Sequence, residues 1–61
     1  MRVCYYKNMW DEPDRINGIH DVMVQQDGQV VVTTMQWQRI VLRPQIDFIS
    51  FWVDNYDEKK N

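Results

Sequence analysis

The sequence predicts an all-β fold, a small five-stranded antiparallel bent sheet or small barrel, and two observations carry that prediction. Val22, Val24, Val30 and Val32 flank an Asp27-Gly28 pair, and Ile40 and Leu42 are spaced to extend the same wall. Most of the rest of the 61-residue chain falls into short runs rich in Val, Ile, Tyr, Phe and Trp, broken by Asn17-Gly18, Pro13 and Pro44. That is the punctuation of strands and turns.

The hairpin around Asp27-Gly28 has two possible registers, and they bury different side chains. A two-residue loop pairs Gln26 with Gln29 and sets Val24 opposite Val31. A three-residue loop, Gln26-Asp27-Gly28, pairs Gln25 with Gln29, Val24 with Val30 and Val22 with Val32. Asp-Gly suits a type I′ turn in the first case. In the second it suits a type I turn followed by Gly28 in the left-handed region. A slip of one residue sends a strand's apolar set to the other face. Only the longer loop gathers four valines on one side, so the longer loop is expected.

The remaining elements follow in chain order. Arg2 to Tyr6, with Val3, Cys4 and two tyrosines, reads as a first strand. Lys7 to Gly18 reads as a long loop, because Pro13 cannot donate to a ladder and Asn17-Gly18 favours a turn. Within it Asp11 is placed to cap one helical turn reaching Ile16. Ile19 to Gln25 and Gln29 to Thr34 form the central hairpin, Met35 to Gln38 connects onward, and Arg39 to Arg43 is the fourth strand. After a break at Pro44-Gln45, Asp47 to Asp54 is the fifth. Alternation along it puts Ile49, Phe51 and Val53 on one face and Phe48 and Trp52 on the other, both faces apolar. The strand–hairpin–strand layout resembles SH3-like and Sm-like small barrels in outline only. No motif narrows it to a family.

Length and composition bound the function. Residues 1–55 make one small domain, and the polar stretch Tyr56 to Asn61 reads as a C-terminal tail. A core this small is marginal by itself. Cys4 is the sole cysteine, so neither an intrachain disulfide nor a thiolate zinc cage is available. Oligomerisation, most simply a dimer through the outer face of the last strand, is the expected way to enlarge the core. Seven basic and nine acidic residues leave a formal net charge of −2. That sign opposes a phosphate-binding surface and disfavours a nucleic-acid partner. The first eight residues lack the apolar run of a signal peptide, and no window approaches a membrane span. A cytoplasmic setting is expected.

No residues stand out as catalytic, metal-ligating or cofactor-binding. His20 is the only histidine, and no spacing gathers two further ligands beside it. Cys4 alternates within a strand with no cation or helix terminus to form a thiolate, so it reads as a small core residue. Asp11 and Asp14 lie in a loop with no apolar pocket to raise either pKa. The aromatic content is the stronger signal. Tryptophan buries much area at little rotamer cost and concentrates at contact hot spots. The expected contact set is Trp10, Asp11 and Glu12 in the long loop, Trp37 on the third connection, and Phe48 and Trp52 on the last strand. Rings closing the ends of a small barrel are the plain alternative.

The reading is therefore a small non-enzymatic protein-binding module of the inhibitor or adaptor kind. Very small chains of this style are often carried by phages and other mobile elements, where they act on host proteins. The alternative is an oligomeric small barrel binding nucleic acid, or an anionic ligand such as a nucleotide held between subunits by Arg15, Arg39 and Arg43.

Overall fold

The computed structural model describes residues 1–55 and is all-β. The tail expected at Tyr56–Asn61 lies outside the described residues. Among the described residues six strands form: β1 (Arg2–Tyr6), β2 (Asp14–Ile16), β3 (Ile19–Val24), β4 (Val30–Thr34), β5 (Arg39–Leu42) and β6 (Ser50–Asp54). They make two three-stranded antiparallel sheets, β2-β1-β6 and β3-β4-β5, and not the single bent sheet or closed barrel expected.

The additional strand is β2, inside the supposed long loop. Asp14, Arg15 and Ile16 pair with Tyr5, Cys4 and Val3. No helical turn forms at Asp11–Ile16. Pairing with β1 satisfies these backbone groups, and Ile16 joins the apolar wall. The loop thereby shortens to a hairpin connection whose base is closed by Lys7 Nζ and Asp14 Oδ2 at 3.4 Å.

The central hairpin adopts the longer loop. Val24 pairs with Val30 and Val22 with Val32. The Gln25 N–H donates to the Gln29 carbonyl at 2.8 Å, the Gly28 N–H donates to the Gln25 carbonyl at 2.9 Å, and Gly28 has φ +95°. The Asp27 carboxylate accepts from the Gln29 N–H at 3.0 Å, bracing the turn. Leu42 and Ile40 pair with Val30 and Val32 and continue the wall as expected. Val30 and Val32 are fully buried, whereas Val24 is 59% exposed. Val24 has the predicted register but sits on an edge strand, so only its partner across the ladder is covered.

The two sheets meet over one core. Val3 of the first sheet packs with Ile19, Val30, Val32, Leu42 and Phe48, with Tyr5, Ile16, Val22, Ile40 and Phe51 around them. The sheets are tied at one end by the Ile19 N–H, which donates to the Met1 carbonyl, while the Ile49 N–H donates to the Tyr6 carbonyl and extends the β1–β6 ladder.

The last strand departs from the expected alternation. Regular structure begins only at Ser50, because residues 43–48 form a compact turn. There the Asp47 N–H donates to the Arg43 carbonyl, the Gln45 N–H to the Phe48 carbonyl, and Gln45 has φ +70°. Phe48 precedes the strand, so alternation counted from Asp47 misplaces it. It is 7% exposed and meets Phe51 edge-on in the core, with ring centroids 5.4 Å apart. Phe51 faces inward, while Trp52 shares the outer face with Cys4 and Tyr6. Phe48 and Trp52 therefore do not form one outer face.

Two tests follow from this frame. Gly28→Ala should cost about 1 kcal/mol or more in urea denaturation, because an L side chain is strained at positive φ. Its Cβ would also meet Pro44 Cγ at 3.1 Å. The second concerns Asp47, whose carboxylate accepts from the Arg43 side chain at 3.1 Å and from the Arg43 N–H at 2.8 Å. The Arg43 side-chain hydrogen bond, then the backbone one, holds its pKa below the usual value. A carboxylate with a depressed folded-state pKa contributes stability above its unfolded value near 4 and loses it as pH falls through the folded value. Asp47→Asn should lower Tm at pH 6, with the gap to wild type closing as pH falls below about 4.

Candidate functional site

The feature that stands out chemically is the turn between β4 and β5. The Thr34 N–H donates to the Gln38 carbonyl at 2.9 Å, and the Trp37 N–H donates to the Thr34 carbonyl at 2.9 Å. This is the hydrogen-bond pattern of the Gln25–Gln29 turn, with Trp37 standing where that turn has Gly28. Trp37 accordingly has φ +66°. A non-glycine residue costs roughly 1–2 kcal/mol in this region, and bulky residues are rarely found there. Yet Trp37 is 71% exposed, so burial does not repay the strain.

The turn is held from below and from one side. Thr34, itself buried, accepts at Oγ1 from the Gln36 and Gln38 N–H groups, both at 3.2 Å. His20 lies at the irregularity between Ile19 and Asp21, where β3 shifts register against β4. Its ring packs against the Trp37 indole with centroids 4.5 Å apart and planes inclined by 57°. His20 thus supports an aromatic tip. Among the described residues no group of three or more His, Cys, Asp and Glu side chains is gathered to hold a metal.

Trp10 occupies a second braced tip, between β1 and β2. Asn8 Oδ1 accepts from the Trp10 and Asp11 N–H groups at 2.8 and 2.9 Å, and Asn8 Nδ2 donates to the Asp11 carboxylate at 2.9 Å. Trp10 is 87% exposed, with Asp11 and Glu12 exposed beside it. The topology puts this tip beyond the Tyr6 end of β1. The Trp37 tip lies at the opposite end, where the Gly18 carbonyl accepts from the Met35 N–H and the Met1 carbonyl from Ile19.

The expected contact residues therefore do not converge. Trp10, Asp11 and Glu12 are at one end, Trp37 at the other, and Trp52 is on the outer face of the first sheet, its ring 5.6 Å from that of Tyr6. Phe48 is in the core. Cys4 is buried, flanked across the ladders by Arg15 and Trp52. Of the three arginines, Arg15 is on the first sheet, whereas Arg39 and Arg43 belong to β5 and the turn after it. A single copy does not bring all three together.

A concavity beside the end of β5 was not anticipated from sequence. It is an open groove of about 600 Å³ between β1 and β5, with Tyr5, Leu42 and Ile46 as apolar walls. Lys7, Arg43 and Asp47 supply its charges. Distant β1 and turn residues form it, so no local spacing marks it. The left-handed Trp37 was legible in principle. Keeping Val32 opposite Ile40 requires a three-residue loop at 35–37, and such a loop ends in a left-handed residue.

No family model matches this chain, and neither a curated protein nor a solved structure shows significant similarity to it. No helix among the described residues is long and apolar enough to cross a membrane.

The strain at Trp37 has a measurable consequence. Trp37→Gly removes roughly 1–2 kcal/mol of backbone strain. It loses about 0.5–1.5 kcal/mol of ring contact and about 0.5–1 kcal/mol through glycine entropy. These largely offset, so Trp37→Gly should stay within about 1.5 kcal/mol of wild type by urea denaturation. A loss above about 2 kcal/mol would mean that the indole is a structural element rather than a presented one.

Proposed function

We propose that this chain is a small non-enzymatic protein-binding module that anchors its partner with Trp37. The observation that carries the reading is an exposed tryptophan held at positive φ where the sister turn uses glycine. Strain of this kind persists where the surroundings over-determine a conformation, and it clusters at ligand clamps and binding sites. The Thr34 hydroxyl and the His20 ring supply that over-determination. A ring already fixed before contact loses little entropy on docking, which favours affinity, and tryptophan is the residue type most enriched among binding hot spots. Trp10 on its Asn8-braced tip, with Asp11 and Glu12, is a second contact at the far end. The size and composition suit an inhibitor or adaptor of the phage or mobile-element kind acting on a host protein in the cytoplasm. Self-association through the Trp52 face belongs to the same proposal, since the small core leaves that ring half outside.

The test is affinity capture from the native host with immobilised wild type, Trp37→Gly and Trp52→Ser, beside sedimentation of each at micromolar concentration. A hot-spot tryptophan contributes about 2 kcal/mol or more, so the captured protein should be depleted roughly thirtyfold or more with Trp37→Gly. Trp52→Ser should shift sedimentation toward monomer. Equal capture by wild type and Trp37→Gly would overturn the anchor.

A further inference from the structure

We propose that the free edge of β5 takes up an extended acidic segment of a partner protein as an added strand. The segment would read acid–x–apolar–x–acid, with these residues opposite Arg39, Val41 and Arg43. The proposal rests on the reading of this chain as a protein-binding module and names what it binds.

Register shows which backbone groups are open. The Thr34–Gln38 closure makes Val32–Ile40 and Val30–Leu42 the hydrogen-bonded pairs of the ladder, leaving Thr33–Arg39 and Val31–Val41 as the non-bonded ones. The N–H and C=O groups of Arg39 and Val41 therefore point away from β4, and β5 is the outer strand of its sheet. Past Leu42 the edge closes. The Arg43 N–H is taken by the Asp47 carboxylate, and the Arg43 carbonyl accepts from the Ile46 and Asp47 N–H groups. A short ladder site remains, bounded by the Asp47 clamp at one end and the Trp37 tip at the other.

Side chains complete the description of the occupant. Arg39 and Val41 alternate onto the outer face of the sheet, where Val41 extends a row from Met23 and Val31, and Arg43 follows at the start of the turn after β5. An apolar residue opposite Val41 would lengthen that row. Arg39 has no ion-pair partner among the described residues, and Arg43 keeps N–H donors beyond the Nε bound to Asp47. Opposite charges across a ladder stabilise it and like charges oppose it. A second copy is disfavoured on that rule, because a two-fold pairing centred on Val41 sets Arg39 of one copy against Arg43 of the other. The intervening residue opposite Leu42 would point to the inner side, where the groove offers Tyr5, Leu42 and Ile46. Edge addition of this type draws affinity from main-chain hydrogen bonds and specificity from alternate side-chain pockets.

The experiment uses a short synthetic peptide with a central valine and glutamates two residues to either side, and two N-methylated versions, each modified on one alternate set of amides. Binding should protect the Arg39 and Val41 amides from exchange. Methylation of the set facing β5 should weaken it by about tenfold or more, and methylation of the other set should change it little. Arg39→Glu should weaken the glutamate peptide and admit a lysine counterpart. No binding, equal loss with both methylated sets, or protection elsewhere would overturn the proposal. Protection of both amides without peptide, together with a dimer in sedimentation, would assign the edge to a second copy and also overturn it. If Trp37→Gly leaves host capture unchanged while the peptide still protects these amides, the anchor fails and the edge site stands.

Discussion

Two three-residue turns, one at each end of β4, constrain the rest of the structure. Each ends in a left-handed residue, Gly28 in one and Trp37 in the other, and each closes on a backbone hydrogen bond one residue further on. Between them they determine which β4 side chains face the other sheet. Val30 and Val32 are fully buried because both turns hold that parity. A slip at either turn would send the valines outward and bring Val31 and Thr33 in. Val3, Leu42 and Phe48 pack against these valines, so the position of the second sheet depends on the same parity.

The two turns satisfy one geometric demand with different chemistry. Glycine meets it at no steric cost, and Gly28 leaves room for Pro44 to approach its Cα. Tryptophan meets it only under strain, and the Thr34 hydroxyl and His20 ring hold it there. Under the proposed function, the difference sets a structural turn apart from a presenting one. It also explains why the aromatic residues do different jobs despite similar composition. Phe48 and Phe51 pack inside, Trp52 covers part of an outer face near Cys4, and Trp10 and Trp37 stand out from braced tips.

A two-layer protein this small leaves strand edges and apolar side chains in contact with solvent. Open edges invite pairing, and charged residues are a common way to make them selective. On β5 that guard is Arg39 and Arg43, with the Arg43–Asp47 clamp ending the exposed ladder. The same charges that oppose pairing of two β5 edges favour an acidic strand. In the proposed edge pairing, affinity for a partner and resistance to self-aggregation would depend on the same side chains.

The all-β class, the strand 2–6, a strand starting at Ile19, the three-residue Gly28 loop and the wall formed by Val22, Val30, Val32, Ile40 and Leu42 were legible in the sequence, whereas Val24, expected in that wall, lies exposed at the edge. Each is governed by local rules: a period of two, turn chemistry, and the parity that a loop length imposes. Asp14–Ile16 was not legible as a strand, because its stability comes from β1, more than ten residues away across the ladder for Ile16, and not from its own propensity. The inward turn of Phe48 was hidden for a related reason. Alternation holds only where the backbone is extended, and the Asp47 clamp delays that until Ser50. Trp10, Asp11, Glu12 and Trp37 are exposed, but a linear chain does not say that they stand at opposite ends. Local chemistry determined that the central segments become strands and which way they face. Division into two sheets, the groove beside Tyr5 and the open edge of β5 were decided only by tertiary structure, because each depends on contacts between segments far apart in the chain.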